Sequence, residues 1–457
     1  MQDLKIDLII PWVDGNDPEW KKLKAEYLNV NQESIPFFRE WNILRYVFRS
    51  IEKNIPWVNC VHFVTEGHLP KWLNTSHPKL NIVKHTDFIP YEYLPTFSSI
   101  PITLNIHRIP GLSENFIWSN DDCFFMKELE PNVFFNNGLP CDFLYLKPFT
   151  EAYNGSFSHL ILTQINLINQ EFDVKQCYEQ HRDKWESDAY SKIAVSYNKE
   201  LVRSLNKFPG FVDSHMPLPF NKSSFATVWA KYFTAMDSSC KNKFRSPSDL
   251  TDWYIRYRRL CMGEFSPAFL DGCRYCDIWD NEEILKDTVL SKTTSMLCIN
   301  DSSGEGDFNL RKEYIHNLLE RVFPEQSSFE IYTDEKTRNY TIKKDSEACN
   351  KISFPEIIKD EESLNTTINF LRDNRRKYSD KTYIIKTTNA SFGRTLQKLF
   401  DFDLCECVEL CKKENFVDYM LEHSNTCVIF AQHRELYSEL AEKHGVDIVY
   451  FSDEGLL

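Results

Sequence analysis

Residues 94–125 read LPTFSSIPITLNIHRIPGLSENFIWSNDDCFF, and the last third of that stretch decides the fold. Phe116-Ile117-Trp118 is a short, apolar, aromatic-rich run with the character of a buried strand. Gly111-Leu112-Ser113 bounds it on one side and Ser119-Asn120-Asp121-Asp122 on the other. Two carboxylates and an amide at the carboxyl end of a buried strand stand where open α/β sheets place their ligands. Hard oxygen donors of this kind suit Mg²⁺ or Mn²⁺ carrying a diphosphate. The same residues also make an ordinary turn, because Asn and Asp hydrogen-bond to nearby backbone. The rest of the chain has to separate the two readings.

Upstream, Ile6 to Val13 (IDLIIPWV) is a near-continuous apolar run broken by Asp7 and Pro11, followed by Asp14-Gly15-Asn16-Asp17-Pro18. It reads as a first buried strand ending in a polar turn, the usual opening of an α/β nucleotide-binding unit. Trp12 and Asp14 could hold a base and a ribose there, or form a plain strand-to-loop junction. Val61–Val64 and Leu80–Val83 are two further strands, with a helical segment expected between them around Trp72. This cadence predicts a doubly wound sheet. Trp41, Leu44, Phe48 and Ile51 recur at helical spacing, with Arg39, Arg45 and Arg49 on flanking faces. Those arginines either clamp phosphate or serve as solvated helix charges. A helix within 98–109 would turn Ile102, Ile106 and Ile109 inward and leave His107, beside Arg108, on a flanking face. A lone histidine is more often structural than catalytic.

Downstream, residues 140–210 predict a helical insertion or lid. Asp213-Ser214-His215-Met216-Pro217-Leu218-Pro219 is an irregular loop carrying one histidine. It leads into an amphipathic helix marked by Phe225, Val228, Trp229, Tyr232, Phe233 and Met236. Ser246, Pro247 and Asp249 then predict a helix start, as N-cap, first-turn proline and third-position acid. Arg245 would stand just outside that terminus, where backbone N–H groups attract a phosphate. Met296–Ile299 is another buried run, ending in Asn300-Asp301, which could close the metal site from far away in sequence. After Phe323-Pro324-Glu325 the chain becomes charged and Ser/Thr/Asn-rich, predicting a boundary near 325–345. Strands at Thr382–Ile385 and Cys427–Phe430, a helix at Glu435–His444 and a strand at Val446–Phe451 suggest a small accessory α/β domain. Its Thr387–Arg394 stretch could cradle a phosphate, although no glycine-rich fingerprint is present.

Composition bounds these readings. A chain of 457 residues, 42% hydrophobic, can bury a large core in two or three domains. A net charge of −14 without a long basic block argues against a nucleic-acid partner. No signal-like opening and no apolar run of the ~18 residues a spanning helix needs point to a cytoplasmic protein. The fourteen cysteines are scattered and read as buried free thiols. Cys273/Cys276 and Cys405/Cys407/Cys411 could be zinc half-sites, but neither has a second pair at finger-like spacing.

Four blocks now stand in order: Ile6–Trp20, Arg39–Phe125, His215–Arg258 and Ser295–Asp301. Together they resemble the Stealth family of sugar-1-phosphate transferases over residues 1–325. That family includes bacterial capsular-polysaccharide phosphotransferases and the animal transferase that places N-acetylglucosamine-1-phosphate on lysosomal enzymes. The resemblance implies an α/β core similar to nucleotide-sugar transferases (Rossmann-like, GT-A-like); it does not cover residues 326–457, the accessory domain read above from the sequence pattern. It implies transfer of a sugar 1-phosphate from a UDP-linked nucleotide sugar to a hydroxyl of a polysaccharide or glycan, with release of a nucleoside monophosphate. Asp121 and Asp122, helped by Asn120, match the family's acidic motif and would hold Mg²⁺ or Mn²⁺. His215 matches its active-site histidine, a general base or a hydrogen-bond donor to the phosphate, and Arg245 its phosphate-binding arginine. Trp12, Asp14 and Gly15 fall in the block that contributes to the nucleotide pocket. Asp301 belongs to the fourth block, and His107, Arg108, Arg45 and Arg49 are further substrate-binding candidates. One departure stands out: Thr103 occupies the place where the family usually has a glutamate, and threonine cannot supply a carboxylate's charge. Ordinary glycosyl transfer with release of a nucleoside diphosphate, or an inactive scaffold in polysaccharide assembly, are the competing readings. Sugar, nucleotide, acceptor and oligomeric state are not legible, and a lipid-linked acceptor would leave room for peripheral membrane contact.

Overall fold

A computed structural model describes residues 4–27, 39–149, 157–213, 215–302, 304 and 306–331, and beyond them backbone segments between 351 and 456. The chain divides into two compact units, Met1–Gly306 with Ser327–Glu330, and Asp307–Gln326 with Ile331–Leu457.

The first unit opens with β1 (Ile6–Pro11), α1 (Pro18–Tyr27), α2 (Leu44–Asn54), β2 (Val61–Thr65), β3 (Leu80–Lys84), α3 (His85–Phe88) and α4 (Ser99–Asn105). There follow β4 (Asn115–Trp118), β5 (Cys123–Phe125), β6 (Phe135–Asn136) and β7 (Leu139–Asp142). Four helices come next: α5 (Phe157–Glu171), α6 (Val174–Gln180), α7 (Arg182–Trp185) and α8 (Lys192–Ser204). The chain returns through β8 (Leu218–Asn221), α9 (Lys222–Lys231), α10 (Phe233–Lys241) and α11 (Asp252–Cys261). It ends with β9 (Ser266–Pro267), β10 (Cys273–Asp277), α12 (Glu282–Leu290) and β11 (Met296–Asn300).

The main sheet has the order β3-β2-β1-β4-β8. Its first four strands are parallel and β8 runs antiparallel to β4. The order 3-2-1-4 is the Rossmann-like half-sheet, so the mixed α/β class expected from the apolar runs is the one observed. β1, β2 and β4 are buried because the middle of a parallel sheet is covered on both faces, whereas β3, at the sheet edge, is only half-buried. Asp7 is the exception that stays charged inside β1. Burial opposes its charge, yet hydrogen bonds from His62, Asn59 and the Ser113 amide hold its carboxyl below the usual range. A second sheet, β10-β11-β5, pairs β10 with β11 in parallel and β11 with β5 antiparallel. A third small sheet joins β6, β7 and β9.

Three expectations need correction. No helix forms around Trp72, where Gly67, Pro70 and Pro78 leave residues 66–79 in turns. The helix expected from Ser246 starts instead at Asp252, capped by the Thr251 hydroxyl, which accepts from the Trp253 amide. Ser246 and Asp249 satisfy each other in an isolated turn, the Ser246 amide donating to Asp249 Oδ2 and the Asp249 amide to the Ser246 carbonyl. The helix over 225–236 breaks at Tyr232, giving α9 and α10.

The described cysteines are free thiols, as expected, most of them buried. Cys273 and Cys276 sit three apart on one strand, hence on opposite faces, and so cannot ligate one ion together.

In the second unit, α13 (Phe308–Val322) is capped by Asp307, whose side chain accepts from the Leu310 amide. Backbone strands β12 (Lys351–Ile358), β13 (Thr382–Thr387), β14 (Asp403–Cys405) and β15 (Cys427–Ile429) form a parallel sheet ordered β12-β13-β15-β14. Short strands β16 (Phe451–Ser452) and β17 (Gly455–Leu456) pair antiparallel. Of the phosphate cradle suggested at Thr387–Arg394, Thr387 ends β13 and the remainder lies outside the described residues, as do Cys407, Cys411 and the helix at 435–444. Among the described residues, no helix is long and apolar enough to cross a membrane.

Candidate active site

Three strand pairings gather the four sequence blocks. β1 and β4 are parallel, with Ile9 opposite Trp118 and the Ser119 amide donating to the Ile9 carbonyl at 3.0 Å. The turns after both strands, Trp12–Gly15 and Asn120–Asp122, therefore lie side by side where the strand order reverses. β8 runs antiparallel to β4 with Leu218 opposite Trp118, so His215, just before β8, comes beside the residues just after β4. β5 pairs with β11, and the Asp122 carbonyl accepts from the Ile299 amide at 3.0 Å, which brings in the fourth block. Asn120–Asp122 is thus the link by which the chain passes from the main sheet to the second one.

At this junction Asn120 Nδ2 lies 3.5 Å from His215 Nε2. His215 holds a φ of +50°, uncommon for a side-chain-bearing residue, while its amide donates to Asp213 Oδ1. The Tyr275 ring meets the imidazole edge-on at 5.7 Å, and Asn300 Nδ2 donates to the Tyr275 hydroxyl. Trp12 Nε1 donates to Glu40, the Asp14 amide to His68 Nε2, and Asp14 in turn accepts from the Asn16 amide. Gly15 is buried beside them.

The electrostatics are those of a site short of positive charge. Burial first, then Asp122 and Glu40, push the Asp121 carboxyl well above the ordinary range. Burial also raises Asp122, against the opposing pull of His215. Desolvated like charges at one place favour protonation unless a cation joins them. Two carboxylates with this character offer hard oxygen donors and fit a divalent cation.

A second carboxylate pair stands beside His215. Burial, then Asp213, pushes Asp252 up to about 7, with Arg256 and His215 opposing. The folded chain therefore keeps this proton over a range where the unfolded chain, at the ordinary 3.8, has released it. Stability then falls as pH rises from roughly 4 to about 7 and levels off above. Asp252→Asn should remove that fall, so its melting temperature should gain on the parent's across this window. Parallel curves would refute the assignment.

Asp301 is not a metal ligand: its oxygens accept two bonds from Arg39 and one each from the indoles of Trp41 and Trp279. Arg49 does not clamp phosphate, because it forms a buried bidentate pair with Glu330. Arg45 packs over Trp72 at 5.9 Å and Arg108 over Trp229 at 4.9 Å. His107 stacks near Phe225 and Trp229, and burial, then Arg108, pulls its pKa down to about 4, leaving a neutral ring near pH 7. Arg245 donates to the Ser99 hydroxyl at the start of α4, and the helix terminus it was expected to flank lies at Asp252, not at Ser246. Thr103, one turn further along α4, is buried and donates to the Ser99 carbonyl. Sequence reasoning passed over Glu40, Asp213, Asp252, Tyr275, Cys123 and Cys298. Asp213 and Cys298 were within reach, each two residues from a position already singled out.

Paired carboxylates and a histidine thus stand at the switch point of a Rossmann-like sheet, where open α/β sheets place their ligands. Models of the Stealth protein conserved regions 1 and 2 match residues 4–31 and 37–141. The capsular polysaccharide phosphotransferase WcwK of Streptococcus pneumoniae is 36% identical over 71% of this chain and 98% of its own length. The receptor polysaccharide phosphotransferase WefC of Streptococcus gordonii is 34% identical over 72% and 99%. The exopolysaccharide phosphotransferase cps2G of Lactiplantibacillus plantarum is 32% identical over 71% and 96%. The chain belongs to the Stealth family. Among solved structures, the bifunctional glycosyltransferase WbbM matches 69% of this chain and 50% of its own at 13% identity and a TM-score of 0.30.

Proposed function

We propose that this protein transfers a sugar 1-phosphate from a nucleotide sugar to a hydroxyl of a surface polysaccharide. The observation that carries the reading is the meeting of Asp121, Asp122 and His215 at the carboxyl end of β4, in a chain whose family relatives are named polysaccharide phosphotransferases. The acceptor oxygen attacks the β-phosphorus, its proton passes to His215, and the bond to the bridging diphosphate oxygen breaks. A phosphodiester forms and a nucleoside monophosphate leaves. The side chains at the site position the reactants and balance charge, which is most of what phosphoryl transfer asks of a protein. Asp121 and Asp122 would hold Mg²⁺ or Mn²⁺, which when bound neutralises the diphosphate. Trp12 and Asp14 line the nucleotide end.

Arg245 serves as a phosphate contact from the α4 side. Arg245→Ala should raise KM for the donor by roughly tenfold or more, since a charge-assisted bond contributes about 1.5–3 kcal/mol. An unchanged KM would take Arg245 out of the site.

The deciding experiment is product analysis with UDP-N-acetylglucosamine and other nucleotide sugars, Mg²⁺ and oligosaccharide acceptors. UMP release with phosphorus retained on the acceptor is the expected result. UDP release would make the protein an ordinary glycosyltransferase.

A further inference from the structure

Beside the paired carboxylates lies a donor set of different chemistry. Asp122, His215 and Cys298 each offer one ligand atom, and all three atoms lie within 4.8 Å of one another. The backbone explains why they converge. Two bonds of the β5–β11 ladder, Met126 amide to Ser295 carbonyl and Ile299 amide to Asp122 carbonyl, mark its hydrogen-bonded positions. Antiparallel alternation then makes Cys123–Cys298 a non-hydrogen-bonded pair, where Cα atoms approach to about 4.5 Å and side chains are closest. Both thiols are buried, and Cys123 Sγ lies 3.5 Å from Asp122 Oδ1. The ladder therefore presses sulfur against the very carboxylate that the β4 turn presents. From the other side comes His215, held at positive φ, a conformation that persists only where the surroundings impose it.

One oxygen, one nitrogen and one sulfur donor make the set of a borderline-soft cation. Mg²⁺ takes oxygen donors and keeps several waters, whereas Zn²⁺ and Co²⁺ accept thiolate and imidazole together. We propose that Asp122, His215 and Cys298 form a binding site for a divalent cation of the Zn²⁺ class. Three protein ligands leave a fourth position, reached past the exposed His215. Binding replaces the thiol proton of Cys298, which passes to solvent. The inference deepens the transferase reading and rests on it for its consequence. A cation bound at the imidazole occupies the nitrogen that would accept the acceptor's proton, so Zn²⁺ silences the site that Mg²⁺ would serve.

The test is a titration of purified full-length protein, stripped of metal, with Co²⁺ alone, followed by absorbance. The expected result is one equivalent of a near-ultraviolet thiolate-to-cobalt band with intense visible bands of a four-coordinate ion. That equivalent should vanish in Cys298→Ser or Cys298→Ala, persist in Cys123→Ser, and need roughly tenfold or more Co²⁺ in His215→Gln. Because His215 is exposed, His215→Gln reads ligation without disturbing the core. A full band in Cys298→Ser, or a complex with only the weak spectrum of an oxygen-ligated ion, would overturn the proposal. No donor or acceptor is present, so the site can stand while the transfer reading fails, and the reverse.

Discussion

Asp122→Asn lowers turnover by on the order of a thousandfold or more while leaving the melting temperature unchanged or raised. The two halves of this expectation come from one feature. Asp121 and Asp122 are desolvated neighbours whose carboxyls burial pushes up, and the charges of Asp122 and Glu40 push Asp121 up further. Asparagine keeps the shape and removes a charge, which relieves repulsion in the folded state. On the proposed function, the same change removes an anion that would hold the divalent cation neutralising the diphosphate. Sites built for chemistry commonly hold such destabilising charge, and substitutions there trade activity for stability. Turnover assays and thermal unfolding on the same preparation check it. Activity and melting temperature falling together would instead make Asp122 a structural residue.

Asp142→Leu lowers the melting temperature by on the order of 10 °C and weakens turnover as well. Asp142 lies at the end of β7, and its carboxylate accepts from Arg256 Nε and Nη2 and from Arg259 Nη2. All three side chains are at most 4% exposed. Burial works against the charge on Asp142, but the two guanidinium groups overcome it and hold the carboxyl below its usual range. Removing the anion strands two buried cations, a loss of roughly 3–5 kcal/mol. The effect on turnover follows from what else these arginines hold. Arg256 Nη1 donates to the Val212 carbonyl and Arg259 Nη1 to the Pro219 carbonyl, the two flanks of the segment carrying His215. Arg256→Met should be milder in stability, because Asp142 keeps Arg259. It should still lower kcat, since one flank of the His215 loop is released. Equal melting temperatures for Asp142→Leu and the parent would refute the ion cluster as a structural element.

Much of the core was legible because each strand of the parallel sheet is a short apolar run between turn residues. Asn120-Asp121-Asp122 and His215 were legible as residue types in a recognisable order. Pairings between distant segments were not. Nothing in LPFN at 218–221 announces an antiparallel partner for β4, yet that pairing brings His215 to the carboxylates. Arg49 and Glu330 stand 281 positions apart, so the ion pair that occupies this arginine has no local signature. Asp301 failed as a ligand for the same reason, its partners being Arg39, Trp41 and Trp279. The helix start at Ser246 failed because its capping bonds are satisfied equally well by a lone turn.

The passage of the chain from one sheet to the other at Asn120–Asp122 carries a kinetic consequence. The site exists only when β4 has paired with β1 and β8, and β5 with β11, and every one of those contacts closes a long loop. Long-range closure is the slow part of folding, since chain entropy is lost before contacts compensate it. On refolding, helical signal should therefore return well before turnover. A partly folded chain would own its helices yet lack the junction at which the site forms, which keeps incomplete molecules chemically silent.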